Sequence, residues 1–381
     1  MLSWMRNGAS LALLSWTLQS NLPAGESMLW EKSFGLDDVH DVHVMSTGHS
    51  YVIAGTKARE GHGTLDIYVR RVDQGGLLTD GAEIPGEDFS SYSIADLASL
   101  GPDGSILIVG TNQSDQECGK AIQKGCVLKA DGYGKRLTES LHDWNPTGVT
   151  VLKDAIMVAG VRARGDPFVR EVEGKWEVRL GAPDAWSHVI ALRAASDMAI
   201  ALVSDTDVVT RDRSSRLVAV DDAGKVVGQV GLESDGLSAA GLLTGPDRIH
   251  VVGTRQVAGG KRMALVELDA QGWQRWERTY LSIEGGGSCI GRSARGELLV
   301  GGWIREEAKL REGILLRVGE DGVLLGQKRF SRPGTSNHVT SVVTAPDGYL
   351  VGCVVKERSL SENRWGSTRP VFIRYRDTID E

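Results

Sequence analysis

One short apolar strand recurs seven times along the chain, and this repeat restricts the fold more than any other feature of the sequence. Each copy ends in glycine or another small residue, and successive copies begin about 50 residues apart. Such a period is typical of one continuous repeat domain, although a chain of 381 residues is long enough for two or three separate domains. The copies are YVIAGT (51–56), ILIVGT (106–111), IMVAGV (156–161), AIALVS (199–204), IHVVGT (249–254), ELLVGGW (297–303) and YLVGCV (349–354).

Each copy lies within a group of four extended segments. A segment of small and β-branched residues precedes it, such as VHDVHVM at 39–45. A second apolar strand follows it and usually ends in an Asp/Gly turn, as in LDIYVRRVDQGG at 65–76. A more polar strand follows six of these turns. Because glycine accepts positive φ at no steric cost, these turns predict hairpins. Four strands in each of seven repeats predict an all-β, seven-bladed β-propeller with four-stranded blades.

The last repeat ends without a polar outer strand, and a matching segment lies at the other end of the chain. MLWEKSFG at 28–35 resembles the outer-strand segments WQRWERTY at 273–280 and LGQKRFS at 325–331. We therefore expect the N-terminal strand to complete the last blade, which leaves no open sheet edge at the seam. A β-sandwich would not repeat seven times, and the helical patterns of a doubly wound fold are missing from the sequence.

Composition agrees with this fold and excludes one class of function. Glycine accounts for 48 of the 381 residues, or about 13% against an average of about 7%. We assign the glycines to hairpin turns and to close approach of inner strands near the axis. Ten Trp outnumber five Phe, and outer strands account for only part of this excess. The net charge of −7 argues against nucleic-acid binding, which normally requires a basic surface.

Residues 1–24 have the layout of a secretory signal peptide. Arg6 precedes the apolar stretch Gly8–Leu18, and small and turn-forming residues follow up to Ala24. The stretch is too short to span a bilayer. We expect cleavage near Ala24, a propeller over residues 25–381 and a periplasmic or secreted location. The alternatives are a short anchor helix or a translation start assigned too far upstream.

The four cysteines suggest one disulfide at most. Cys118 and Cys126 are separated by seven residues within one hairpin and could form a disulfide in an oxidising compartment. The alternative is a pair of free thiols. Cys289 and Cys353 lie in apolar strand patterns and are expected to be buried as small hydrophobic residues.

The first repeat carries a pattern that resembles a known group of repeats. The pattern is W-x-K-x-[FY]-G, then Asp-Asp, then a strand ending in Ala-Gly-Thr, then Asp-x-Tyr-Val-x-x-x-Asp-x-x-Gly. It resembles secreted bacterial seven-bladed propellers with quinoprotein-like or delta-60-type repeats. The resemblance implies the fold and suggests a quinone-dependent dehydrogenase. However, the adjacent cysteines and eight-bladed Trp pattern of such enzymes are missing, so we expect no cofactor. No residues are assigned as metal ligands. The matching residues are Trp30, Lys32, Phe34, Gly35, Asp37, Asp38, Ala54, Gly55, Thr56, Asp66, Tyr68, Val69, Asp73 and Gly76.

Acids and histidines recur where the chain enters the inner strands. If they converge around the axis, they form a funnel for a cation or a cationic ligand. The alternative is that they cap turns and hold neighbouring blades together. His40 and His43 are expected to face opposite sides of their strand. No G-x-S-x-G motif or other catalytic set stands out. The ligand-binding candidates are Asp38, His40, Asp41, Asp184, His188, Asp235 and His338.

Polar loops between the second and third strands are the other candidate contact surface. They include Thr206–Arg213 and Glu357–Thr368, and the latter contains Trp365. The sequence therefore predicts an exported, monomeric binding or scaffold propeller that presents an end face or funnel to a protein, glycan or small ligand. The competing class is an enzyme or enzyme subunit with its site at one end of the axis.

Overall fold

The computed structural model describes residues 26–34, 39–59, 64–85, 90–101, 104–115, 121–131, 133, 135–162, 165–182, 184–232, 236–306, 310–358 and 365–377. Within these ranges the regular structure is β-strand, arranged as seven four-stranded antiparallel sheets. The predicted seven-bladed propeller is thereby confirmed. The predicted signal peptide lies outside the described residues and stays a prediction. No helix in the described part of the chain is long and apolar enough to cross a membrane.

After the first strand, each blade adds its strands in chain order from the axis outward. The first described strand is β1 (Glu26–Lys32). Blade 1 contains β2 (Val39–Ser46), β3 (Ser50–Ala58), β4 (Leu65–Asp73) and β5 (Leu78–Ile84). Blade 2 contains β6 (Ser90–Ser99), β7 (Ile106–Asp115), β8 (Ala121–Ala130) and β9 (Arg136–His142). Blade 3 contains β10 (Trp144–Leu152), β11 (Ala155–Arg162), β12 (Asp166–Glu171) and β13 (Glu177–Arg179).

The remaining blades repeat this order. Blade 4 contains β14 (Ala185–Ala195), β15 (Met198–Asp207), β16 (Arg213–Asp221) and β17 (Val226–Gly231). Blade 5 contains β18 (Leu237–Thr244), β19 (Arg248–Val257), β20 (Gly260–Asp269) and β21 (Gln274–Tyr280). Blade 6 contains β22 (Glu284–Arg292), β23 (Leu298–Arg305), β24 (Glu312–Val318) and β25 (Leu324–Phe330). Blade 7 contains β26 (Thr335–Ala345), β27 (Gly348–Arg358), β28 (Trp365–Asp377) and, on its outer edge, β1.

The N-terminal strand closes the ring as the sequence predicted. β1 pairs antiparallel with β28, from Glu26 opposite Asp377 to Lys32 opposite Phe372. Trp30 on β1 joins a buried apolar cluster that includes Tyr51 of blade 1 and Leu350 of blade 7. The first and last described strands are therefore held in one sheet, and the apolar cluster spans the seam between blades 7 and 1.

The second strand of each blade is the glycine-ending strand of the repeat. In β3, residues 51–56 are all buried, because the sheet packs against a neighbouring blade on each face. This explains why the strand has a continuous apolar sequence rather than an alternating one. The predicted loops beside these strands are shorter than expected, since β27 and β28 extend to Arg358 and from Trp365.

Every inner strand contains a β-bulge, which lies near the start of the strand in blade 1 and closer to the middle in the other blades. In blade 1 the register shifts between Val39 and Val42. A bulge adds one residue to one strand and interrupts the alternation of its side chains. It therefore changes which side chains of the inner strand reach the axis. In blades 2 to 7 the extra residues are Ala95, Thr147, Ile190, Ala240, Ser288 and Thr340.

Glycine and tryptophan meet at three blade boundaries. Trp30 lies over Gly76, in the turn between the third and fourth strands of the next blade, where a Cβ atom would be 2.7 Å from the indole. The Trp30 indole N–H also donates to the Gln74 carbonyl at 3.0 Å. Trp176 contacts Gly224 in the same way, whereas at Gly322 a Cβ atom would be 3.1 Å from both Trp276 and Arg278. All three glycines have φ near +80°, so a side chain there is disfavoured both by the backbone and by the indole.

The structure describes three of the four cysteines, namely Cys126, Cys289 and Cys353. Cys118 lies outside the described residues, so its pairing with Cys126 stays a prediction. The Cys126 thiol contacts Glu139 Oε1 at 3.4 Å. Cys353 is buried as predicted, whereas Cys289 is only half-buried beside the axis. Burial raises the pKa of the Cys289 thiol to about 12, which keeps this thiol protonated.

Candidate functional site

The seven inner strands enclose an axial cavity of about 550 Å³. Each inner strand contributes lining residues, most of them from the bulge and the residues just after it. Most of the lining is small or apolar, and its charged side chains are Asp96 and Arg193. The axis is therefore a half-open space in which apolar side chains lie beside exposed polar groups, a combination found in small-molecule pockets.

Asp96 and Arg193 form an ion pair on the wall of this cavity. Arg193 Nη1 donates to Asp96 Oδ2 at 2.7 Å and to the Leu192 carbonyl at 2.8 Å. The Asp96 carboxylate also accepts the backbone N–H groups of Leu97 and Val149. Asp96 raises the pKa of Arg193. Since Asp96, Val149 and Arg193 belong to blades 2, 3 and 4, this network connects three neighbouring inner strands.

Ser288 and His338 form a second polar contact between inner strands. Ser288 Oγ, at the bulge of blade 6, shares a hydrogen bond with His338 Nε2 of blade 7. Burial, with smaller effects from Arg311 and Lys356, lowers the pKa of His338 to about 4. The imidazole is therefore neutral at neutral pH. The pair resembles the nucleophile–base part of a serine hydrolase, but such a base normally has a pKa close to the working pH.

The end of the ring at which the inner strands begin, here called the front face, carries an exposed aromatic side chain in blade 4. Trp186 and His188 are both exposed, whereas Ser187 and Val189 are buried. Alternate residues of a strand share a face, so Trp186 and His188 lie on the same exposed face of β14. Partial desolvation, and then the charge of Arg213, lowers the pKa of His188.

A compact loop holds an arginine against this tryptophan. The Arg211 guanidinium lies 4.6 Å from the centre of the Trp186 ring. Asp207 Oδ1 accepts the N–H groups of Val209 and Thr210, at 2.8 Å and 2.7 Å. These bonds lower the pKa of Asp207 and fix the loop. Trp186, Val209 and Arg211, here called the front-face platform, form a preorganised surface on which Trp186 is 54% exposed and Val209 is 87% exposed.

A cleft of about 820 Å³ opens on the front face of blade 4. It is lined by the Asp207 loop, by the start of β16 and by the first residues of β18. Its polar groups include Asp212, Arg213 and Gln229. Arg216 and Asp205 pair at 2.7 Å on its wall, both nearly buried. The cleft therefore combines opposite charges with hydrogen-bonding groups, which suits a polar partner better than a purely cationic one.

The predicted funnel residues are only partly described. Asp38 and Asp235 lie outside the described residues, and so do the side chains of His40 and Asp41 on β2. Asp184 is exposed at the start of β14, with φ of 59°. His188 and His338 both lie two residues before a bulge, but in blades 4 and 7. Within the described part of the chain, no three His, Cys, Asp or Glu residues are grouped as metal ligands. Convergence of the seven residues on a ligand stays a prediction.

Several polar groups of the inner strands hold adjacent blades together, as the alternative interpretation of the sequence suggested. His43 Nε2 contacts the Ile94 carbonyl of the next blade at 3.2 Å. Thr244 and Thr344 donate to carbonyl groups of the preceding blades, at 2.6 Å and 2.8 Å. The sequence did not single out Asp96, Arg193 or Trp186 as site residues. A polar residue within an otherwise apolar inner-strand segment was the signal that could have identified Asp96 and Arg193.

Solved structures share this fold at low sequence identity. No protein-family model matches the sequence, and no curated protein matches it. The β-propeller domain of the Trilobed protease from Pyrococcus furiosus is 12% identical, with a TM-score of 0.52, over 91% of this chain and 96% of that chain. The periplasmic gluconolactonase PpgL of Pseudomonas aeruginosa is 16% identical, with a TM-score of 0.53, over 87% of this chain and 99% of that chain. Domains 1–2 of Drosophila Semaphorin 1b are 8% identical, with a TM-score of 0.52, over 91% and 87% of the two chains. These likenesses establish a propeller architecture.

Proposed function

We propose that this protein is a binding propeller that receives a protein, glycan or small ligand on the front face of blade 4. The main support for this proposal is the front-face platform, which lies beside the cleft of about 820 Å³. A large exposed tryptophan fixed by a stacked arginine supplies contact area at low entropic cost. Exposed apolar groups next to a polar cleft are typical of interaction surfaces. The polar inter-blade contacts of the inner strands support a structural role for most of the axial polar groups.

The platform predicts a specific loss of binding in the Trp186→Ala variant. Affinity for the partner should fall at least about tenfold, while the free energy of unfolding should change by less than about 0.5 kcal/mol. The measurement is a pull-down from a native cell-envelope extract together with a glycan array, followed by titration of whatever binds. Trp273→Ala is the matched control, because Trp273 is 75% exposed on the outer rim. Equal binding by wild type and Trp186→Ala would contradict the proposal.

The proposal includes export from the cytoplasm. It rests on the sequence of residues 1–24, with one basic residue, an apolar stretch and small residues up to Ala24. Fractionation of native cells should recover a chain that begins near residue 25 outside the cytoplasm. Recovery of the unprocessed chain from the cytoplasm would refute the export part while leaving the binding surface untouched.

A hydrolase is the second candidate, and the Ser288–His338 hydrogen bond favours it. Ser288 lines the axial cavity, so its hydroxyl could meet a bound ester or lactone. The pKa of about 4 at His338 weighs against general-base catalysis near neutral pH. Labelling of the wild type by a fluorophosphonate, lost in Ser288→Ala, would select this candidate over a pure binding role.

A further inference from the structure

Arg193 lines the axial cavity, and one edge of its guanidinium has no hydrogen-bond partner among the described residues. Arg193 lies on β14, three residues beyond the bulge at Ile190, and 40% of its side chain is exposed although it lies inside the ring. Nη1 supplies both of its hydrogen bonds, to Asp96 and to the Leu192 carbonyl. Within the described residues, Nε and Nη2 have no hydrogen-bond acceptor. Since a guanidinium carries five N–H donors, three of them remain available among the described residues, and two of these lie parallel on the Nε–Nη2 edge.

Asp96 orients this guanidinium without using up its donors. Asp96 Oδ1 accepts the Leu97 N–H at 2.9 Å, and Oδ2 accepts the Val149 N–H at 3.2 Å in addition to Arg193. The carboxylate charge is therefore shared among two backbone amides and one guanidinium nitrogen. An anion on the free edge would meet a cation held in a fixed orientation. Such a preorganised fork matches a carboxylate through two parallel hydrogen bonds.

The other residues that line the cavity indicate which further chemical groups a ligand would carry. Thr147 Oγ1 and Ser341 Oγ are buried and, among the described residues, have no hydrogen-bond partner. A buried hydroxyl without a partner costs about 1–3 kcal/mol, so both oxygens favour a polar guest. The volume of about 550 Å³ is that of a small-molecule pocket. Apolar side chains from five blades line the same space, namely Leu97, Ile190, Leu242, Ile290 and Val342.

We propose that the axial cavity binds a small aliphatic carboxylate. Its carboxylate accepts hydrogen bonds from Arg193 Nε and Nη2, and its hydrocarbon part packs on the apolar lining. Inorganic phosphate would accept the hydrogen bonds of Arg193, but it has no hydrocarbon part to pack on the apolar side chains of the cavity. A neutral amide of the same chain length would fill the lining but offers only one carbonyl oxygen and no charge. This site is separate from the front-face platform, so failure of one proposal leaves the other standing.

Calorimetric titration of the full chain with hexanoate, hexanamide and inorganic phosphate tests the proposal. Hexanoate should bind at least about tenfold more tightly than either of the other two compounds. It should also raise the thermal midpoint as its concentration rises, as expected for a ligand of the folded state. Equal affinity for hexanoate and hexanamide, or no binding of hexanoate, would overturn the proposal.

Variants at the ion pair separate a binding role for Arg193 from a structural one. In Arg193→Gln, hexanoate affinity should fall to that of hexanamide, because the charge and the paired donors are lost. The double variant Asp96→Asn/Arg193→Gln should give the same result without leaving an unpaired carboxylate at the axis. Arg275→Gln, at an exposed position on the outer strand β21, is the control and should bind hexanoate like the wild type. A folded variant that lacks Arg193 yet keeps the wild-type preference for hexanoate would refute the assignment.

Discussion

Replacing Trp30 by alanine is expected to lower the free energy of unfolding by about 3–5 kcal/mol. Trp30 is only 9% exposed, although it lies on the outer strand of blade 7. Its ring packs on Gly76 of blade 1, and its indole N–H donates to the Gln74 carbonyl. The substitution therefore removes a large buried ring and leaves a backbone carbonyl without its donor. Because β1 closes the ring, the loss falls on the seam between the two ends of the chain.

Trp273→Ala is the matched control for this prediction. Trp273 precedes β21 on the outer rim of blade 5 and is 75% exposed. Its removal should change the free energy of unfolding by less than about 1 kcal/mol. Urea denaturation followed by circular dichroism measures both variants, since tryptophan fluorescence itself changes with the substitution. Similar midpoints for Trp30→Ala and Trp273→Ala would contradict a closing role for Trp30.

The fold was predictable because the repeat records a physical constraint in each blade. The second strand is buried on both faces in every blade, so its sequence must remain apolar seven times, as in residues 51–56. The closing strand was predictable for a related reason. Residues 28–35 carry the outer-strand pattern, and the last repeat lacks it. Both inferences depend on patterns shared among blades rather than on any single residue.

The candidate site was less predictable because bulges and long-range packing determine it. The extra residue at each bulge has no common type, as Ala95, Thr147 and Ile190 illustrate. Strict alternation along a strand therefore assigns the side chains after the bulge to the wrong face. Asp96 and Arg193 are 97 residues apart and meet only because the ring brings blades 2 and 4 to one axis. The candidate residues were chosen from the sequence because they are acids and histidines. Residue type alone does not show which side chains meet at the axis.

Three glycines and three tryptophans share one structural role, although the sequence suggested only the role of glycine in turns. Each of three indoles lies on a glycine in the turn of the next blade, at Gly76, Gly224 and Gly322. Tight turns alone require glycine for its positive φ. At Gly76 and Gly224 the contact with the indole adds a second requirement, because a Cβ atom would lie 2.7 Å and 2.4 Å from the ring. Glycine at these turns therefore fixes both the hairpin and the packing between blades.

Gly76→Ala separates these two requirements and is expected to destabilise the protein by about 3 kcal/mol. The backbone at Gly76 has φ of +79°, and the new Cβ would be 2.7 Å from the Trp30 ring. Gly48→Ala is a close control, because Gly48 has φ of +86° and no atom lies within 4 Å of its Cβ position. That control should cost only the backbone strain of about 1–2 kcal/mol. Equal losses in the two variants, measured by urea denaturation, would show that the indole contact adds nothing.

The double variant Trp30→Ala/Gly76→Ala tests the contact itself. Once the indole is gone, the alanine at position 76 has space, so the additional cost of Gly76→Ala should fall to the level of Gly48→Ala. The two substitutions should therefore be non-additive by about 1–2 kcal/mol, as is usual for residues in direct contact. Strict additivity would mean that the indole yields to a Cβ without loss. In that case the glycine of these turns would be required by the hairpin backbone and not by the packing of one blade on the next.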